Sequence, residues 1–417
     1  MSYPWQLIGL LWMVAFLNSA DRSVLFAVMP QLRTQFELTD TQLALISSVF
    51  FWIYAIAAFL FGRLSDTARR STVVVGGLAF WSVATGVASL STGFAIFIAL
   101  RGFVALGEST YYPAATALIS DWHTRAMRSR ALSLHQTGVF AGAGLGGYLA
   151  GELADRFGWR CPFVVFGGAG LVLGTVLYRK LRDRRVAEPG PDARAGTTSE
   201  DGVARRAVSN PLSLVFAQRP ALALCAVFFL SNGAATGVTV WAPTYVHDVM
   251  GMNLGSSAFY GAASINLAGF FAVPFGGSLA DWLNARSPIG RFYALMIGLS
   301  IAAICLVPFA FAKSALMVGV VLLCSTIGKG LFDGCIYAAM HDVVSPQSRA
   351  TAVGLMTMLG FFGAGLMPLL VAQSASIFGM AAGLASLAVL YFIAVGILLA
   401  IRNTTRIAVL NTRQLET

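Results

Sequence analysis

Gly62-Arg63-Leu64-Ser65-Asp66 closes one long apolar run of the chain, and Gly277-Ser278-Leu279-Ala280-Asp281 closes another, far downstream. Two more pairs keep step with these. Arg130-Ala131 and Arg349-Ala350 each open an apolar run, at nearly the same offset. Gly142-Ala143-Gly144-Leu145 recurs as Gly363-Ala364-Gly365-Leu366, again at nearly that offset. These matches fall in the same order in both places, so the chain is built from two copies of a unit spanning about half of it.

What lies between these motifs is apolar. Of 417 residues 57% are hydrophobic and only 11% charged, with mean hydropathy +0.74, whereas a soluble domain carries about 25% charged residues. A cytosolic enzyme is excluded, and so is a disordered or fibrous chain. Lipid is the main solvent. Crossing ~30 Å of hydrocarbon takes about 20 apolar residues. Twelve stretches qualify, near 5–29, 42–62, 72–90, 95–119, 131–151, 161–178, 221–246, 258–280, 292–311, 315–341, 350–372 and 377–401; they are called spans 1 to 12. The leader Met1–Pro4 has no basic n-region, so span 1 does not read as a signal peptide. The alternating polarity of a barrel is missing, so the spans are helices. The repeat copies are separated by an even number of spans and are therefore parallel. The expected architecture is an all-α membrane protein of 12 transmembrane helices in two parallel six-helix halves.

The basic surplus decides orientation. Loops after even-numbered spans, with the C-terminal tail, hold 21 of the 28 Lys and Arg, and loops after odd-numbered spans hold 4. By the positive-inside rule both termini are cytoplasmic. The net charge of +10 is thus a topology signal and implies no nucleic-acid partner. Between Arg179 and Arg219 the sequence turns polar, with Pro189, Gly190 and Pro191, as a linker does. The expected organisation is an N-terminal half 1–180, a cytoplasmic linker 181–218, a C-terminal half 219–402 and a cytoplasmic tail 403–417. The five cysteines show no C-x-x-C spacing and read as buried thiols. No nucleotide-binding loop and no metal-spaced His/Cys cluster occurs. No cofactor or metal is expected, and an ATP-driven pump or membrane enzyme is disfavoured.

Three cations are left inside the spans: Arg22, Arg101 and Lys329. A charge there costs several kcal/mol, on the order of 3 or more, so each is a functional candidate. Arg101 and Glu108 share a face of span 4 but stand roughly 10 Å apart along the axis, too far to touch. Asp21 lies about 24 Å along span 1, at a depth close to that of Arg101, which suggests an Asp21–Arg101 pair. Glu108 then stands near mid-membrane without a sequence-local cation. Desolvation there penalises its charged form, which makes it the leading proton-coupling residue with Asp21 beside it; a static ion-pair network is the competing reading. Arg22 is turned by about 100° from Asp21. It faces the central cavity as an anion binder, or snorkels to the headgroups. Lys329 and Asp333 are spaced to pair on one face of span 10, either as structure or as a second anion contact. His135 and Gln136 in span 5, Asn232 in span 7 and Asn266 in span 8 are candidates for substrate hydroxyls, with helix packing as the alternative. Trp241 and Tyr245 suit an aromatic belt.

With these residues in view the sequence resembles a major facilitator superfamily transporter over essentially its whole length. The loop marker of that superfamily is Gly62, Leu64, Asp66, Arg69 and Arg70, with Asp281 in the second copy; Thr67 and Arg69 depart from its usual form. In the superfamily this loop gates the cytoplasmic side. Asp21-Arg22, Arg101 with Glu108, then Tyr111, Tyr112 and Pro113, and Trp241 to Tyr245, are together similar to the anion:cation symporter family. Asp21-Arg22 and Arg101 with Glu108 are also similar to the related Spinster-like transporters. The resemblance implies a monomeric secondary transporter, placed in a bacterial cytoplasmic (inner) membrane, whose partners are protons and a small anionic substrate, with Tyr112 in the substrate site. The expected function is proton-coupled symport of a small organic anion such as a sugar acid. The alternatives are a lysolipid carrier, a drug-efflux antiporter, and a non-transporting sensor.

Overall fold

The computed structural model describes residues 3–67, 69–123, 125–183, 218–344 and 349–414. Nearly all of the expected linker 181–218 lies outside them, as do the side chains of residues 62–68. The regular elements of the described residues are all helical. Eleven helical segments are long and apolar enough to cross a membrane. They are Tyr3–Phe36, Asp40–Ala58, Arg70–Ala88, Phe94–Ile119, Arg160–Lys180, Arg219–Met250, Leu254–Asn284, Gly290–Phe311, Ala315–Val343, Ala352–Phe378 and Met380–Ala400. Expected span 5 is a continuous helix as well, Arg125–Phe157 of 33 residues. It is not among the eleven because His135, Gln136, Thr137 and many glycines dilute its hydropathy.

Two helices break beside their charges. Span 4 stops at Ser109 and restarts at Tyr111. Pro113 has no N–H to offer and crowds the carbonyl of Ser109; Thr110 N bonds instead to Gly107 O at 3.2 Å, an i→i−3 step. Span 10 stops at Asp333 and restarts at Ile336, with Cys335 N bonded to Phe332 O at 3.1 Å. Glu108 and Asp333 thus lie in the last turn of the first segment of equivalent broken helices.

Glycine sets how closely the helices pack. A Cβ on Gly142 would stand 2.1 Å from Phe16 O of span 1, and one on Gly363 would stand 2.4 Å from Phe229 O of span 7. The two glycines are repeat partners, and each lets a backbone lie directly on its neighbour. Gly363→Ala is expected to lower stability by about 1–3 kcal/mol through overpacking. Gly396→Ala, where nothing lies within 4 Å, serves as the silent control in the same thermal-unfolding measurement.

The halves meet from mid-bundle to one end. Trp52 Nε1 donates to Phe362 O at 3.3 Å, and the Tyr54 and Phe361 rings lie 4.9 Å apart. Further along, Gly255 N donates to Asp155 Oδ2 at 3.0 Å, and Arg33 bridges Asp40 of its own half and Asp248 of the other. At the opposite end the described ion pairs stay within each half. Arg70 pairs with Asp121; Arg291 pairs with Asp342 at 2.6 Å and Asp281 at 3.2 Å. Arg291 follows Arg70, and Asp342 follows Asp121, at the same offset that separates Gly363 from Gly142, so the repeat extends to these ion pairs. The bundle is clasped at the Arg33 end. Asp248→Asn is expected to loosen that clasp by up to about 1 kcal/mol, since both partners are partly exposed. Spin labels on spans 1 and 7 at that end would then show the longer-distance population growing up to about fivefold.

Candidate functional site

A cavity of about 620 Å³ lies between the halves. Of the residues singled out from sequence it is lined by Tyr112 and Gln136 on one side and Asn232, Asn266, Lys329 and Asp333 on the other. Lys329 Nζ contacts Asp333 Oδ1 at 2.5 Å, as their spacing predicts, with side-chain exposures of 8% and 35%. The ammonium also lies 5.2 Å from the centre of the Phe332 ring. Tyr112 Oη donates to Gln136 Oε1 at 2.9 Å, and Asn232 Nδ2 to Gly360 O at 3.0 Å. The sequence pattern does not mark Tyr337, Tyr391, Ser325 or Thr326 for the site, yet they share its wall. Their signal is a hydroxyl on a membrane-spanning segment, which packing explains as readily.

Behind this wall the N-terminal half holds four charges. Arg22 Nε donates to Glu108 Oε2 at 2.6 Å; the Glu108 side chain is fully buried and that of Arg22 is 22% exposed. Asn18, one turn earlier on span 1, accepts from Arg22 Nη2 at 3.0 Å. The guanidinium lies 4.6 Å from the centre of the Tyr54 ring. Arg22 is therefore neither free in the cavity nor turned to the headgroups: it is the counter-ion of Glu108. The expected Asp21–Arg101 ion pair does not close. Asp21 Oδ2 accepts instead from Thr85 Oγ1 at 3.3 Å, and the Arg101 guanidinium lies 5.0 Å from the Phe50 ring centre. Depth along the axes brings these two together on paper. An arginine side chain, however, spans more than one helical turn, so equal depth does not choose its partner. Asp21 Oδ1, Glu108 Oε1 and Arg101 Nε and Nη1 are buried without a hydrogen-bond partner among the described residues.

His135 does not reach the cavity. It is 1% exposed, with Nε2 at 2.7 Å from Tyr111 Oη, and that hydroxyl donates to Leu11 O at 2.6 Å. The tyrosine proton is committed to Leu11, so His135 Nε2–H is the donor. The ring is satisfied by packing. Trp241 and Tyr245 correct a second expectation. They are 0% and 5% exposed and bond to Pro368 O and Ala312 O, so they lie inside the bundle and form no aromatic belt. Of the expected gating residues, Gly62 lies on a helix and Asp66 likewise, but their side chains are outside the described residues. Arg69 is exposed just before span 3, while Arg70 and Asp281 take part in the two related ion-pair clusters.

Sequence and fold comparisons give the chain's relatives. The family profile described as Major Facilitator Superfamily matches residues 11–368. The chain is similar to the "Probable anion transporter 4, chloroplastic" of Oryza sativa subsp. japonica, 27% identical over 368 residues, which cover 85% of this chain and 61% of that protein. It thus spans under two thirds of that relative's length. It is 25% identical over 401 residues to the "Hexuronate transporter" of Bacillus subtilis (strain 168), covering 92% and 93% of the two chains. In fold it is similar to a bacterial homologue of the human lysosomal transporter Spinster, solved inward-facing and unoccupied. The TM-score is 0.84 at 20% identity, covering 99% of this chain and 98% of that one.

Proposed function

The chain belongs to the Major Facilitator Superfamily, a family of membrane transporters and not of enzymes, and on that basis we propose that it couples proton entry to uptake of a small organic anion by alternating access. The observation that carries this reading is the Arg22–Glu108 pair, in which the carboxylate is fully buried and the guanidinium is 22% exposed. Arg22 is shared between two anions. While Glu108 is ionised it holds Arg22. When Glu108 takes a proton, the guanidinium loses its partner and is released to an incoming carboxylate, which it matches with two parallel hydrogen bonds. Proton and anion therefore favour each other's binding, which is the thermodynamic content of symport. Each shifts the conformational equilibrium only by its differential affinity for the two states.

Lys329 and Asp333 repeat the device on the cavity wall: a substrate carboxylate competes with Asp333 for the ammonium. Tyr112, Gln136 and Asn232 supply hydrogen bonds to hydroxyl groups, which suits a sugar acid. The similarity to a hexuronate transporter supports that class. In this reading Asp21, Arg101 and Glu108 form an adjustable network around the Arg22–Glu108 contact. The protein works as a monomer of twelve spans in a bacterial cytoplasmic membrane, with both termini inside.

A second reading rests on the apolar part of the same wall, where Phe140, Ile265, Val273 and Leu322 would accommodate the chain of a lysolipid while the charges take its headgroup. A thermal-shift titration of the purified protein separates the two. Glucuronate at 100 times its Kd is expected to stabilise by about 2.7 kcal/mol, with the effect lost in Lys329→Ala. A shift with lysophospholipid and none with any sugar acid would overturn the first reading in favour of the second.

A further inference from the structure

The tail beyond span 12 folds into a helix, Arg402–Gln414, separated from Met380–Ala400 by Ile401 alone. A helix that starts where the last apolar helix ends begins at the membrane surface. Its faces are distinct. Thr405 and Val409, one turn apart, are 0% and 1% exposed and seat the helix on the bundle. On the opposite face Ile407 is 61% exposed and Leu410 43%. Arg402 and Arg406, also one turn apart, are exposed along the flank between these faces. The Arg402 guanidinium lies 5.6 Å from the centre of the Tyr293 ring, near the start of span 9, which sets this flank at the depth where a neighbouring membrane helix begins.

Two apolar side chains turned outward beside two cations, at the end of a membrane helix, match an amphipathic helix lying in the interface. Arginines so placed attract anionic headgroups, and the attraction fades within a Debye length. The helix also packs against Ile336–Val343, the half of span 10 that follows the break beside Asp333. That short helix carries Asp342, the partner of Arg291 at 2.6 Å.

We propose that Arg402–Gln414 docks on anionic phospholipid headgroups of the leaflet at the chain termini and, once docked, braces the half-helix Ile336–Val343. Ile407 and Leu410 enter the headgroup–acyl boundary, and Arg402 and Arg406 take the phosphates. The brace bears on a half-helix whose Tyr337 lines the cavity, so lipid charge regulates the transporter from outside its substrate site. The proposal does not depend on which anion is carried.

Hydrogen–deuterium exchange on the full-length protein tests it without any transport assay. The protein is placed in nanodiscs of phosphatidylcholine, or of phosphatidylcholine with one quarter phosphatidylglycerol. With phosphatidylglycerol, amides of 402–414 and of 336–343 are both expected to exchange about tenfold more slowly, and 0.5 M salt should shrink the difference. The R402Q/R406Q variant should lose it, while R402K/R406K, which keeps the charge, should retain it and so report on folding. Equal exchange in the two lipids, or a lipid effect that survives in R402Q/R406Q, overturns the docking. Slowing confined to 402–414 overturns the brace.

Discussion

Glu108→Gln protein is expected to exchange labelled substrate across a membrane at equal pH yet fail to accumulate it when the outside is made acidic. With one proton carried per anion, a step of one pH unit supplies about 1.36 kcal/mol, roughly a tenfold concentration ratio. The variant should fall to a ratio of one. Glutamine keeps the shape of the protonated acid and cannot ionise, so Arg22 permanently loses the carboxylate charge that holds it in the 2.6 Å contact. Anion binding should then be at least as tight as in the parent at neutral pH and should lose its dependence on pH over the range in which Glu108 titrates. Uptake in proteoliposomes, paired with binding to the detergent-solubilised protein, reads both effects. Acid-driven accumulation that survives the substitution would remove Glu108 from the coupling step.

Arg22→Ala should be the more damaging change to the fold. It leaves a fully buried carboxylate without its cation, and breaking a buried pair from one side costs about 3–5 kcal/mol. The partial exposure of Arg22 places the expected cost near the lower figure. The deficit should narrow in acid, where a proton replaces the lost arginine as the neutralising charge. Adding Glu108→Gln should restore most of the stability, because the double variant buries no unpaired charge. Thermal unfolding of the parent, both singles and the double closes a double-mutant cycle. A coupling energy near zero would mean that the 2.6 Å contact does not join the two residues energetically. Neither the single nor the double variant should bind substrate as the parent does, since the guanidinium is gone from both.

The fold was legible because lipid imposes one rule on every residue. Hydropathy marked the spans, loop arginines suggested their orientation, and the near-constant offset between motif copies exposed the repeat before any contact was known. Among the described membrane helices, Arg125–Phe157 has its hydropathy diluted by polar residues that include the candidates His135 and Gln136. The structure then separated that pair: Gln136 lines the cavity and His135 is spent on Tyr111.

Composition, and spacing along single helices, were enough to establish the solvent, the helices, the twofold repeat and the short roster of intramembrane charges. The i,i+4 pair Lys329–Asp333 was readable for the same reason. Who partners whom between helices came from the packed bundle alone. Spacing gives a residue its depth and its angle on its own helix, but not the rotation of the neighbouring helix or the reach of a long side chain. Arg22 therefore went to Glu108 where the depths had matched Asp21 with Arg101, and Trp241 went into the bundle where its position near a helix end had suggested the headgroups. The charges were visible in one dimension; which of them compete for the same arginine is a fact of three.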